Sequence, residues 1–157
     1  IHEIQGISLR VFVGHKGEHD IEFSVQEYID TELNHGLDKI DAYQELSKRI
    51  IAQKQKLKAL IKKLSGKKIA GYAASAKGNT LLNFCKIKLD YILDHMKAKQ
   101  GLYTPGMRIP IVSPDVESPD YYLMLAWNYE KQIIEREREF LKKGGHFIIP
   151  VKGVKIV

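Results

Sequence analysis

The 157-residue sequence predicts an α/β fold in three layers, helices on both faces of a mainly parallel sheet, preceded by one strand and two helices. Two features lead to this. Between Ile69 and Pro150, short apolar runs alternate with amphipathic stretches, the order that builds a parallel sheet through helical crossovers. At Ile69–Leu82 (IAGYAASAKGNTLL), an apolar run of small residues enters a Gly/Ala/Ser/Asn turn, and a helix follows. With 44% hydrophobic and 28% charged residues, the chain falls among ordinary globular proteins and outside the disordered and fibrous classes. No apolar run approaches the roughly 18 residues of a membrane span. No signal peptide opens the chain, and the single Cys85 can form no internal disulfide, so a cytoplasmic protein with no membrane partner is expected. Ile1 is not an initiator methionine, which fits a piece of a longer protein.

The elements follow in order. Ile4–Val13 alternates, with Ile7, Leu9, Val11 and Val13 on one face, and predicts a strand. Gly14–Asp20 is a polar loop. Its His15 and His19 lack a Cys or carboxylate arrangement of recognisable spacing, so no metal site is expected. Ile21–His35 contains a helix with Ser24 as N-cap and Glu27 completing a capping box, ended by Gly36. A long helix runs from about Lys39 to Leu64 with a core stripe of Leu46, Ile50, Leu57, Ile61 and Leu64, and Gly66 stops it.

The strand Ile69–Tyr72, the helix Gly78–Cys85 and the strand Leu89–Leu93, closed by Asp94, form the first βαβ unit. Cys85 reads as a small core residue on that helix. Tyr103–Pro114 is rich in turn residues, with a tight turn at Pro105-Gly106 and an extended piece at Ile109-Pro110-Ile111. Asp120–Trp127 is an apolar strand of the kind a parallel sheet buries on both faces. Asn128 either caps the helix Glu130–Lys143 or faces a ligand. Gly144-Gly145 stops that helix and His146–Pro150 is the last core strand.

Glycines in a strand–turn–helix setting let the backbone approach a phosphate, while the first N–H groups of the helix face the anion. The dinucleotide fingerprint G-x-G-x-x-G/A stands here as Gly71-Tyr72-Ala73-Ala74-Ser75-Ala76. A Cβ at Ala73 argues for a looser or displaced phosphate site, and Lys77-Gly78-Asn79 adds a charge beside it. Close strand–helix packing is the alternative explanation of the small residues. Asp94 lies 23 residues after Gly71, the distance at which such units place a carboxylate on a ribose hydroxyl; a turn or cap carboxylate fits the spacing equally.

The net charge of +6 and the pI near 9.3 raise the question of nucleic acid. Nine Lys and Arg between Lys48 and Lys68 stand without one acid. With no interleaved aromatics and no nucleic-acid motif, the stretch reads as a solvated helix face, and an anionic partner is the rival reading.

The order Gly71-Tyr72-x-Ala74-x-Ala76-Lys77-Gly78-Asn79-Thr80-Leu81-Leu82-Asn83, then Asp94, Lys99-Gln100-Gly101-x-Tyr103-x-Pro105-Gly106-x-x-Ile109-Pro110-Ile111, then Ala126-Trp127-Asn128, resembles the C-terminal domain of the S-adenosylmethionine-dependent C-methyltransferases that act on nucleotide-activated deoxysugars. Gln5-Gly6-Ile7-Ser8-Leu9-Arg10 resembles that domain's opening strand, usually written His-Gly-Gly before Ser-Leu-Arg. The match covers nearly the whole chain. Ala73 departs from the family's glycine, and Gln5 and Ile7 from its His and Gly.

The resemblance implies a Rossmann-like domain over 1–157, with the opening strand and helices in 1–66 and the nucleotide-binding-like βα core in 67–157. It implies a nucleotide-linked sugar as substrate and a separate methyltransferase domain as partner. S-adenosylmethionine would serve the full-length enzyme and no cofactor would be bound by this chain. The substrate-binding residues it implies are Arg10, Gly71, Tyr72, Ala74, Ala76, Lys77, Gly78, Asn79, Thr80, Asp94, Lys99, Pro105, Gly106, Trp127 and Asn128, with no catalytic residue in this chain. The rival functions are an NAD-type oxidoreductase domain, suggested by the Gly71 turn and Asp94, and a basic module binding nucleic acid or another anion.

Overall fold

The computed structural model describes residues 8–157. The chain divides into two compact units, Ile1–Ala52 and Gln53–Val157, with the division inside the long helix.

The first unit holds helix α1 (Phe23–Asn34) and the beginning of helix α2 (Ile40–Lys63). Residues 9–13 form no strand: Leu9, Val11, Phe12 and Val13 are exposed in irregular backbone, where alternation alone does not make a strand. Ser8 makes a β-bridge, and the part of the expected strand over 4–7, with Gln5, Gly6 and Ile7, lies outside the described residues. Glu22, not Ser24, is the N-cap of α1, and its side chain accepts no backbone N–H. The Ser24 hydroxyl instead donates to the Glu22 carboxylate at 3.4 Å, so the capping box does not form. Gly36 does end the helix. At φ 68° it lets its own N–H reach Leu33 O at 2.9 Å and the N–H of Leu37 reach Glu32 O at 3.0 Å, the paired bonds of a Schellman cap.

The second unit is a six-stranded sheet in the order β3-β2-β1-β4-β5-β6. The strands are β1 (Ile69–Tyr72), β2 (Ile92–Leu93), β3 (Ile111–Val112), β4 (Tyr121–Met124), β5 (His146–Ile149) and β6 (Lys155–Ile156). The pairs β1–β2, β1–β4, β2–β3 and β4–β5 are parallel. Only β6 runs antiparallel, and its two exposed residues carry no apolar run that sequence could mark.

Alternate residues face opposite sides. Ile69, Ile92, Leu123 and Ile148 meet Leu57 of α2 together with Leu82 and Cys85 of helix α3 (Ala76–Cys85). Ala70, Tyr72, Tyr122, Met124 and Phe147 meet Ile133 of helix α4 (Glu130–Arg136) and Phe140 of helix α5 (Arg138–Lys142). Apolar residues on both faces of short strands require helices on both sides, which gives the three layers. Of the stripe on α2, Leu57 is buried and Ile61 and Leu64 pack half-buried on the first cluster, but Leu46 and Ile50 are each 45% exposed and belong to no core.

The helix expected over 130–143 is broken at Glu137 (φ −94°, ψ 22°), which serves as the C-cap of α4 and the N-cap of α5. Gly144 (φ 86°) then closes it with a second Schellman pair, Gly144 N–H to Leu141 O and Gly145 N–H to Phe140 O, each 3.0 Å.

Helix α3 lies tightly against the end of β4 at Gly78, where an added Cβ would stand 2.4 Å from Leu125 Cβ and 2.9 Å from Leu125 O. Alanine in a helix interior ordinarily gains about 1 kcal/mol over glycine. Here the clash with strand backbone reverses the sign. Gly78→Ala is expected to lower stability by about 1–3 kcal/mol in urea unfolding.

Candidate functional site

Strand order reverses at β1, whose two neighbours β2 and β4 lead away in opposite directions. Helix α3 crosses over on one face of the sheet and α4 and α5 on the other, leaving a gap beyond the carboxyl ends of β1 and β4 where open α/β sheets bind ligands. A cavity of about 410 Å³ lies there, lined by Ala73, Ala74 and Ser75 after β1, Asp94 and Lys99 after β2, and Ala126, Tyr129, Gln132, Ile133 and Arg136 after β4.

The turn after β1 is built by three consecutive N–H groups bonded inside the chain. Ala73 N–H reaches Leu93 O at 2.8 Å, Ala74 N–H the Asp94 carboxylate at 2.8 Å, and Ser75 N–H Ala73 O at 2.9 Å. Ala73 adopts φ 68°, the left-handed region that the fingerprint's second glycine would enter freely. Ser75 is the N-cap of α3: its hydroxyl accepts the Gly78 N–H at 2.9 Å and donates to Leu125 O, so one side chain ties the helix start to the end of β4. Asn79 N–H is held by Ser75 O at 2.9 Å. These contacts do not use the first-turn N–H groups of Ala76 and Lys77, whose side chains are exposed.

Asp94 is 7% exposed. Its Oδ2 accepts Ala74 N–H at 2.8 Å and Lys99 Nζ at 3.2 Å, and its Oδ1 accepts Met96 N–H at 2.8 Å. Lys99 Nζ also donates to Ala74 O at 2.9 Å, and Gln100 Nε2 donates to Asp94 O at 2.9 Å. The carboxylate therefore fastens the β1 turn to the segment after β2, and both of its oxygens are engaged.

Next to Arg136 of the cavity lining, Tyr72 Oη donates to Glu137 at 2.6 Å and lies 3.2 Å from His95 Nε2. Burial, and then the bond to Glu137, hold the phenol well above its ordinary range, so it remains a donor. Arg136 stands 5.8 Å from the Tyr72 ring centre and 3.7 Å from the Glu137 carboxylate.

The structure gathers Gly71, Tyr72, Ala74, Ala76, Lys77, Gly78, Asn79, Asp94 and Lys99 around this turn and the first turn of α3. Gly71 is a packing glycine: its Cβ would meet Ile92 at 2.7 Å and Leu125 at 2.9 Å. Thr80 is turned back on its own helix, its hydroxyl 3.2 Å from Ala76 O. Trp127 and Asn128 lie half-buried in a 3-10 turn after β4, and Tyr129 is the N-cap of α4 in place of Asn128. Pro105 and Gly106 lie apart from the cavity lining. Gly106 (φ 79°) packs on Asn83 of α3, whose amide donates to Pro105 O at 3.1 Å. Arg10 belongs to the other unit and is exposed.

Tyr129, Gln132 and Arg136 were not marked by strand-end or glycine-turn reasoning. With Ile133 they repeat at helical spacing on one face of α4, a pattern visible in sequence once that helix is known to flank the crevice. His15 and His19 are exposed, and among the described residues no group of three or more His, Cys, Asp or Glu is placed to hold a metal ion. No helix among the described residues is long and apolar enough to cross a membrane. Lys54 lies 4.3 Å from the centre of the Phe84 ring, and most of the other bases from Lys48 to Lys67 are exposed along α2 and just after it.

Two substitutions separate strain from fastening. Ala73→Gly is expected to raise stability by about 0.5–1 kcal/mol in thermal unfolding, the relief of a left-handed alanine less the added freedom of the unfolded chain. Asp94→Asn places an amide donor against a backbone or lysine donor and is expected to lose roughly 2–3 kcal/mol in urea unfolding.

A family profile described as the C-methyltransferase C-terminal domain matches residues 3–152. The C-methyltransferase NovU of Streptomyces niveus is 35% identical over 164 residues, a match that covers 99% of this chain and 39% of NovU. The chain thus spans about two-fifths of the length of that relative. A strand-order reversal with a glycine turn and a helix start at the same edge is shared by many α/β proteins, and it is the match along nearly the whole chain that fixes the lineage: the chain belongs to the family of C-methyltransferase C-terminal domains.

Proposed function

We propose that this domain binds the nucleotide part of a nucleotide-linked keto-deoxysugar in the crevice after β1 and β4, and presents the sugar to a separate methyltransferase domain. The observation that carries the reading is the cavity at the strand-order reversal, lined by the β1 turn as far as Ser75, the N-cap of α3, and by Lys99 and Arg136. A diphosphate there would meet the N–H groups of Ala76 and Lys77, the positive end of the α3 dipole and the Lys77 charge. Tyr129 offers an exposed ring, and Gln132 an amide, to a base or sugar. The role is positioning: holding the sugar relative to the methyl donor removes orientational freedom before the transition state. In the reaction so served, a base outside this chain removes the proton next to the keto group, and the enolate carbon takes the methyl group.

S-adenosylmethionine does not suit this crevice. Its sulfonium would approach the cations of Arg136 and Lys99, and the buried carboxylate of Asp94 already holds two backbone N–H groups and Lys99. The methyl donor is therefore assigned to the part of the enzyme outside this chain. The same engagement of Asp94 weighs against an NAD-type oxidoreductase domain.

Titration calorimetry with uridine and thymidine diphosphates tests the reading. Lys77→Ala and Arg136→Ala are each expected to weaken binding by about 1–2 kcal/mol, the range of a charge-assisted contact, with the melting temperature nearly unchanged because both side chains are exposed. Affinity unchanged in both variants would remove the helix start and the α4 face from the site. Saturable binding of S-adenosylmethionine at micromolar concentration would overturn the assignment of the methyl donor to another domain.

A further inference from the structure

Among its described residues the first unit buries none, so they form no core of their own. Helix α1 buries no residue, and Leu57, beyond that unit, is the one buried residue of α2. Yet both helices are amphipathic. On α1, Val25, Ile29 and Leu33 recur at intervals of four, each exposed by more than two-fifths. On α2, Tyr43, Leu46 and Ile50 keep the alternating three–four spacing that continues through Leu57, Leu60 and Leu64, where the same stripe meets the sheet. One continuous stripe is thus covered over its second half and open over its first. Its open half consists of large apolar side chains, which water solvates poorly.

We infer that the open stripes of α1 and of residues 40–52 dock against the part of a C-methyltransferase that lies outside this chain. Two observations choose that occupant. The relative NovU has about three-fifths of its length beyond the matched region, so a protein of this family has the mass to cover the face. Residues 17–38 contain seven Asp and Glu and no Lys or Arg. Residues 17–52 as a whole carry nine Asp and Glu against three Lys and Arg (Lys39, Lys48 and Arg49), so two copies meeting on this face would oppose like net charge. The partner surface is accordingly apolar at its centre and basic at its rim. This assignment does not depend on what the β1 crevice binds.

Hydrogen exchange read on peptides tests it, comparing the 157-residue chain alone with a chimera in which the chain replaces the matched region of NovU. Covalent linkage supplies a high effective concentration, so a sequence difference at the interface is tolerated. Amides of residues 23–34 and 40–52 are expected to exchange roughly tenfold or more slowly in the chimera, and Val25→Asp with Leu46→Asp to restore the fast rate. The His146–Ile149 strand should be equally protected in both proteins and serves as the control for folding. If that control is lost, a second chimera exchanging only residues 17–66 into NovU reads the same protection on NovU's own sheet. Equal exchange with and without the rest of NovU overturns the proposal. So does concentration-dependent protection of the chain alone, which would assign the face to a second copy.

Discussion

The arrangement depends on how closely α3 can approach the end of β4. Gly78 lies against Leu125 with no room for a side chain, and Ser75 fixes the approach by bonding Leu125 O on one side and the Gly78 N–H on the other. A helix held there must begin over the gap between β1 and β4, because β1 feeds it through only three residues. The strand-order reversal supplies the gap and the glycine contact brings a helix N-terminus to its edge. A larger residue at position 78 would lift α3 away from the strand and, with it, the first-turn N–H groups that follow Ser75.

Much of the second unit was legible because its periodicities are unambiguous. Apolar runs at 69–72, 121–124 and 146–149 had no other reading, and Gly144-Gly145 marked a real helix end. Local rules failed where no packing enforced them. Ser24 and Glu27 satisfy a capping-box pattern, but in an exposed helix the chain enters two residues earlier and Glu22 takes the cap. Leu46 and Ile50 sit on the same stripe as Leu57, so sequence could not say that the core stops between them. Sequence gave β6 no signal, since a two-residue antiparallel edge needs only backbone bonds to β5.

The candidate site was legible in position and less so in chemistry. Spacing placed Asp94 at the correct sheet edge but left ligand and fastener equally open. What decides its contacts is the Ala74 N–H, 20 residues earlier, which turns back to meet the carboxylate. Such a contact depends on the conformation of the turn and not on its composition. Arg136 and Gln132 lay in a helix whose start was placed correctly, and only the three-dimensional neighbourhood of α4 gave them meaning.

Ala73 brings these points together. An alanine at φ 68° costs about 1–2 kcal/mol, and such a conformation persists only where the surroundings over-determine it. Here they do: Leu93 O, the Asp94 carboxylate and Ala73 O take the N–H groups of Ala73, Ala74 and Ser75 in succession. Those are the groups that a glycine-rich turn would offer to a pyrophosphate. With them engaged and a Cβ at position 73, the anion that we propose for this crevice is displaced toward Ala76 and Lys77, the next N–H groups along the chain. The substitution that weakens the fingerprint and the carboxylate that resembles a ribose ligand are therefore two parts of one device, a turn closed upon itself that leaves recognition to the helix start and to α4.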